Sequence, residues 1–413
     1  MRLYVHIQLL LLCSVQFVCA QSEFSSSLRF GGNTVMESYW YTQKLDELET
    51  TQNEWKTNLD LDYRLGSAIM FKTSTQVNLN TFEPKRNFVG PRELFVTLRT
   101  EQFKISLGKQ IVDWSKLTGW SSADIPNTYQ YYDFLDTKDE ERGHWSFKGG
   151  FQHKKIQIDI TVIPVYKVSK LFFENNRWTT SGLNLANIES IDTYDEVQLG
   201  MELSVGLGST KQVFLAYHGY NDIPVRRLEV SNQNSADGPD YTLQLLYHKL
   251  QYMGWQSEFF AGRWNFWTEA TAIRSRILEN NMLRPHVFYN LILGTDRKFD
   301  FEDPEQQLKL LAQYIYSFNT EGVEYGPTDL DHIFNKAFLA QIEYRLNYNI
   351  ECGLRAVFEL QEKGYYLNPT MEFNVFEDLK FLAGADILFG SKTGFFGNYD
   401  TNTRLRFSLN YFF

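Results

Sequence analysis

The feature that most constrains this chain is a period of two in its apolar residues, sustained almost from end to end. In LDLDYRL, Leu59, Leu61, Tyr63 and Leu65 share one face, and Asp60, Asp62 and Arg64 the other. In EVQLGMELSVGLG, the apolar set from Val197 to Leu207 opposes Gln198, Glu202 and Ser204. AFLAQIEYRLNY sets Phe338, Ala340, Ile342, Tyr344 and Leu346 against Gln341, Glu343 and Arg345. ECGLRAVFEL sets Cys352, Leu354, Ala356 and Phe358 against Glu351, Arg355 and Glu359. Such alternation belongs to strands with one face in oil and the other in water. Segments of roughly ten residues have the length of a tilted strand crossing a bilayer. Full charges recur along the polar faces, and an Arg or Lys on the lipid side near the midplane would cost roughly 2–4 kcal/mol. The charged faces must therefore point inward. Backbone groups cannot be left unpaired in hydrocarbon, so the sheet must close on itself.

The connections alternate in length as well. Tight turns fall at Gly66-Ser67, Thr100-Glu101, Gly208-Ser209, Gly262-Arg263, 347–349 and Glu377-Asp378. Between them lie long polar stretches at 42–55, 80–92, 111–143, 166–195, 221–240 and 319–334. Short turns on one rim and long loops on the other predict an all-β fold, a transmembrane antiparallel up-and-down β-barrel. The strands expected are near 26–38, 56–65, 68–79, 92–99, 102–112, 143–150, 155–165, 196–207 and 210–221. They continue near 248–261, 264–275, 285–298, 307–319, 335–346, 350–362, 367–376, 379–390 and 402–413. That is about 18 strands, with 16 as the alternative. The alternation is muddy at 213–220 and 308–317, and 240–262 is long for one strand. Strand-like pairing starts near Ser26, which leaves no room for an N-terminal plug domain. A barrel this wide is expected to hold an aqueous channel.

Composition narrows the alternatives. A formal net charge of −10 argues against a nucleic-acid binder, which needs a basic surface. Aromatic residues make up 16% of the chain while mean hydropathy is −0.36. No later stretch approaches the run of apolar residues a spanning helix requires. Residues 1–20 read as a secretory signal: Arg2, a mostly apolar run from Leu9 to Val18, and Val18-Cys19-Ala20 before Gln21. Residues 21–413 then form a single barrel domain. Cys13 and Cys19 leave with the signal, and Cys352 remains without a disulfide partner.

Two short stretches add resemblance to pattern. The last segment, RLRFSLNYFF, alternates to Tyr411 and Phe413 and resembles the C-terminal signal of bacterial outer-membrane barrels. The barrel-assembly machinery would read it as an added strand with alternate side-chain pockets. The stretch LGKQIVDW, through Gly108, Lys109, Gln110 and Trp114, resembles the G-[RK]-Q-x-x-x-W strand end of porin-like outer-membrane families. The alginate-export-like barrels and their relatives are among these. The resemblance covers about forty residues and implies a porin-like barrel whose 111–143 loop folds inward. Ser115 stands where a glycine is expected, and no arginine-lined lumen is present, so the alginate substrate is not carried over.

A loop of this length is usually functional. Lys104, Lys109, Asp113, Trp114, Lys116, Trp120 and Asp124 are its candidate constriction residues. Asp60, Arg64, Arg355 and Glu359 join them as candidate pore-lining charges. Trp114, Trp120, Tyr129, Tyr131 and Tyr132 offer faces for sugar rings, or else a rim girdle or packing of the loop on the wall. Arg345 with Glu343, and Arg355 with Glu351 and Glu359, read as paired wall charges. His144, His153, His218, His248, His286 and His332 are scattered, and neither G-x-S-x-G nor H-E-x-x-H occurs. No enzyme, cofactor or metal is expected. The acidic run Asp133, Asp136, Asp139, Glu140 and Glu141 reads as a solvated loop rather than a Ca²⁺ site. The function expected is an outer-membrane porin-like channel for small hydrophilic solutes, oligosaccharides among them. Its partners would be outer-membrane lipid and the barrel-assembly machinery, with no nucleic acid. The alternative is a scaffold or export component of an envelope complex. A homo-oligomer is compatible with the sequence, but no residue pattern specifies one.

Overall fold

The computed structural model describes residues 27–45, 48–80, 86–114, 118–135, 140–171, 176–178, 185–190, 193–232, 240–279, 282–321 and 334–413. The expected signal segment, Lys116, Asp136, Asp139 and His332 lie outside the described residues. Eighteen strands form one sheet. The first six are β1 Leu28–Tyr41, β2 Thr51–Leu65, β3 Ile69–Asn80, β4 Phe88–Arg99, β5 Phe103–Gln110 and β6 His144–His153. Next come β7 Ile156–Ile163, β8 Gln198–Leu207, β9 Thr210–Tyr220, β10 Lys249–Ala261, β11 Trp264–Glu279 and β12 Met282–Asp300. The last six are β13 Gln307–Asn319, β14 Lys336–Asn347, β15 Ile350–Glu359, β16 Gly364–Phe376, β17 Leu379–Gly390 and β18 Arg404–Phe412.

Each strand pairs antiparallel with its neighbour in the chain, and β18 returns to β1 from Asn33↔Phe412 to Tyr41↔Arg404. Gly32 and Phe413 exchange backbone hydrogen bonds of 3.0 and 3.1 Å at the seam. Closure leaves no strand edge to be satisfied in lipid. The tight rim turns at Gly66, Gly208 and Gly262 hold φ near +60° (64°, 62° and 62°), a region glycine enters without strain.

The outer face carries the apolar set. Leu199, Met201, Met253, Leu293, Ile342, Leu405 and Leu409 are all exposed. Outward aromatic pairs gather at two levels. Near the turns lie Phe103–Phe151 (5.1 Å between centroids) and Phe259–Phe266 (5.0 Å). Near the loops lie Trp40–Phe407 (5.5 Å), Tyr289–Phe318 (5.1 Å) and Tyr365–Phe389 (5.1 Å). An apolar band between two aromatic belts is the surface a bilayer selects, so the barrel stands in an outer membrane. No described helix is long and apolar enough to cross a membrane.

One stretch differs from the sequence reading, and one ambiguity, at 240–262, is resolved. β11 and β12 continue to Glu279↔Met282, past the expected ends at 275 and 285, because their ladder stays paired beyond the belt. Asp240–Leu246 is not part of a barrel strand. It pairs with Val225–Asn232 and Leu185–Glu189 in a separate three-stranded sheet between loops.

The inner face also differs from a uniformly polar wall. From mid-wall toward the loop rim, β9 to β17 carry Val213, Leu215, Leu250, Ile273, Ile292, Leu311, Ile315, Leu339, Val357 and Leu388 on this face, all buried. This explains the muddy alternation. Around 213–220 and 308–317 both faces are apolar, the outer against lipid and the inner against packed loops.

Candidate functional site: the lumen and the 111–143 loop

The 111–143 loop starts where the β5 ladder ends. Gly108 sits at φ 137°, and a Cβ there would fall 2.3 Å from the Leu94 carbonyl oxygen, so only glycine permits the approach to β4. Just beyond β5, the side chain of Asn127 ties the loop to itself. Its Oδ1 accepts from the Val112 N–H at 2.7 Å, and its Nδ2 donates to the Val112 oxygen, Asp124 and Glu141 at 2.9, 2.7 and 2.7 Å. Such a fully buried amide with its bonds made fixes one local backbone path.

The loop then reaches the far wall. Trp114 is 1% exposed, between Tyr217 (6.2 Å, edge-on) and Tyr252 (6.4 Å, stacked). A Cβ at Gly200 of β8 would meet the indole at 2.8 Å, so the missing side chain makes room for the ring. Further on, Gln313 of β13 brackets Trp120, accepting from its N–H at 3.0 Å and donating to its oxygen at 2.7 Å. Glu269 of β11, with no exposed surface, accepts from the Ser121 hydroxyl (2.5 Å), the Ser122 N–H (2.8 Å), the Ser122 hydroxyl (2.6 Å) and Gln256 (2.9 Å). Four donors around one carboxylate offset much of the cost of burying its charge.

The returning half of the loop is held by ion pairs and rings. Asp133 meets Arg404 of β18 at 2.6 Å, and Arg404 also meets Asp386 of β17 at 2.6 Å. The Arg404 guanidinium lies over the Tyr39 ring at 4.2 Å and is almost wholly buried. Burial works against the Asp133 charge, yet Arg404 prevails and holds the carboxyl below its usual range. Glu140 is the opposite case. Burial first, then the Asp133 charge, push its carboxyl well above the ordinary value, while it accepts from the Tyr132 N–H at 2.9 Å. Tyr131 donates to Asp222 at 2.6 Å, and Tyr129 to Asp124 at 2.6 Å. Burial and the Asp124 charge both raise the Tyr129 phenol, so it stays a donor. Phe134 packs edge-on against Trp178 (5.6 Å) and Phe395 (6.2 Å). A short helix, Phe395–Asn398, closes this side; Glu359 of β15 accepts from the N–H groups of Phe395 (3.1 Å) and Phe396 (3.3 Å) at its start.

The sequence-derived candidates therefore divide between two settings. Trp114, Trp120, Asp124 and Glu359 are anchors of packed loops. Lys109 donates to the Pro91 oxygen beside the β3–β4 bulge, and Asp113 is exposed. Asp60, Arg64, Lys104 and Arg355 are exposed on inner faces toward the turn rim. Tyr411 and Phe413 lie on the outer face, with Phe413 5.9 Å from Phe30. Among the described residues none of the wall pairs expected along single strands forms: Arg345 does not meet Glu343, and Arg355 meets neither Glu351 nor Glu359. Glu343 meets Lys309 at 3.2 Å, and Arg345 donates to the Glu305 oxygen at 3.0 Å. Glu343, Arg345 and Glu359 are each drawn to a partner off their own strand, the last to the N–H groups at the start of the short helix. Glu269, Gln313 and Asn127 were missed. For Glu269 a signal existed: it is a lone acid on an inward face otherwise made of Trp267, Thr271 and Ile273.

No family model and no curated protein matches the chain. Among solved structures, OccK11 (OpdR) of Pseudomonas aeruginosa aligns with a TM-score of 0.50 at 7% identity, over 94% of this chain and 95% of that one. The chain has the porin fold. Salmonella typhi OmpF aligns at 0.48 and 10% identity, over 94% of this chain and 97% of that one. OmpT of Vibrio cholerae aligns at 0.44 and 11% identity, over 94% and 97%. Within this porin-fold barrel, the loop-side half of the lumen is packed with protein and the turn-side half is lined by exposed charge.

Proposed function

We propose that the barrel is a channel for small hydrophilic solutes, narrowed by the 111–143 loop. The observation that carries this reading is the loop's path. It leaves β5 and is hydrogen-bonded to Glu269 on β11 and Gln313 on β13, six and eight strands around the wall. A solute entering from the turn rim meets mixed charge at Asp60, Arg64, Lys104 and Arg355, which supports weak selectivity. Oligosaccharide stacking would fall to Trp120, since Trp114 has both faces covered. The chain acts as a conduit and not as an enzyme, is exported with loss of residues 1–20, and is assembled through Tyr411 and Phe413.

Planar-bilayer conductance of the full barrel and of a variant lacking 118–135 tests the reading. Deletion is expected to raise conductance severalfold; two equally silent barrels refute it. The packed loop-side half favours a second reading, a scaffold or export component. Stoichiometric partners on purification, with no conductance from either barrel, decide for that one.

A further inference from the structure

We propose that a recess on the turn-side wall binds a small zwitterion, of the class of α-amino acids and dipeptides. The proposal rests on the channel reading and names the solute class for it. The recess has a volume of about 220 Å³ and lies on β14 to β17. Its floor is Gly353, between Glu351 and Arg355 on the inward face of β15. A Cβ at Gly353 would fall 2.5 Å from the Thr370 hydroxyl, so any side chain there fills the space.

The charges around the floor are unevenly neutralised. Glu343 is paired with Lys309 at 3.2 Å and Glu372 with Lys380 at 2.7 Å. Arg345, which faces Glu351 across the ladder, donates instead to the Glu305 oxygen at 3.0 Å. Among the described residues, the side chains of Arg355 and Glu351 are left with no ion pair and no hydrogen bond. The ladder partners of Arg355 are the neutral Gln341 and Asn368. Four residues along one strand separate the Cα atoms of Glu351 and Arg355 by about 13 Å.

A molecule carrying a carboxylate and an ammonium a few bonds apart spans this gap. The guanidinium takes the carboxylate through two parallel N–H···O bonds, and Glu351 takes the ammonium. A plain anion meets the charge of Glu351 on the way in, and a plain cation meets Arg355. Only a solute with both signs satisfies both groups.

Glycylglycine, acetate and ethylammonium are the probes. In bilayers bathed in KCl, glycylglycine is expected to interrupt the current about fivefold more often than either single ion, the effect of one partly exposed ion pair. Arg355→Gln and Glu351→Gln should each remove that excess, and Gly353→Leu should abolish it by filling the floor. Equal interruption by all three probes, or an excess that survives Arg355→Gln, overturns the site. Saturation-transfer NMR on the detergent-solubilised barrel reads the same binding without current. A silent barrel that still transfers saturation to glycylglycine, dependent on Arg355, sinks the channel and keeps the site. A conducting barrel that does not distinguish the probes sinks the site and keeps the channel.

Discussion

The two halves of the lumen are built from the same strands yet behave as different materials. On β2, Gln52, Glu54 and Lys56 near the loop rim are buried, while Asp60 and Arg64 near the turn rim are exposed. On β14, Ala337 and Leu339 have no exposed surface, whereas Glu343 and Arg345 remain half open to water. On β15, Val357 and Glu359 are covered and Glu351 and Arg355 are not. Facing inward in a barrel is therefore not the same as facing water. Where loops cover the wall, it obeys the rules of a protein interior, and its charges are paired or ringed by donors. Where nothing covers it, single charges persist because water solvates them.

The sharpest break of this contrast is Arg404→Ala. It leaves Asp133 and Asp386 buried beside each other without their cation, at a cost of about 3–5 kcal/mol. The expected result is release of the 111–143 loop, seen as rapid proteolysis within it while the barrel still migrates as a folded species. Next is Gln313→Ala, which strips both backbone partners of Trp120 and should cost about 1–3 kcal/mol. Hydrogen exchange confined to 118–122 would report it; unchanged protection there would show that the hydrogen bonds do not hold the loop.

pH probes the same contrast more gently. Glu140 binds its proton more tightly with the loop docked than free, so the docked state holds the extra proton above the ordinary glutamate range. Docking should weaken as pH rises from about 4.5 toward the raised value. Asp133 has the opposite sign. Its contribution is present above the ordinary aspartate range and is lost as pH falls below it. Proteolysis of the loop should therefore be slowest in mild acid, and Glu140→Gln should flatten the alkaline limb. The smallest effect is expected from Asp60→Asn in the open half. Stability should move by no more than about 0.5 kcal/mol, and cation preference measured from reversal potentials should drop slightly. A large loss of stability there would mean that the turn-side wall is not solvated after all.

Much of this was legible in the residues. The stretch from Val197 to Leu207 alternates cleanly, and β8 occupies Gln198–Leu207. The final alternating decapeptide is the closing strand, paired with β1. The 16-strand alternative fails because eighteen strands pair in one closed sheet, with β10 complete at Lys249–Ala261 and 240–246 in a loop sheet. Much less of the site was legible. Nothing adjacent to Asp133 names Arg404, 271 residues away, as its partner. For Trp114 the sequence leaves a stacking face, a rim girdle and packing on the wall all open until Gly200, Tyr217 and Tyr252 are seen to close around it.

By itself the sequence determined a closed antiparallel barrel, the facing of the cleanly alternating strands and the rim on which the short and long connections lie, while the choice between 18 strands and 16 needed the sheet pairing. These follow from a rule with period two, imposed locally by the cost of putting charge into lipid or leaving backbone unpaired there. Only the tertiary structure decided which inward residues are wet. That depends on where a 33-residue loop comes to rest, 111–143, and its resting place is set by contacts between residues far apart in the chain. Such contacts leave no periodic trace, because each rests on the shape and charge of a single partner rather than on a repeated environment.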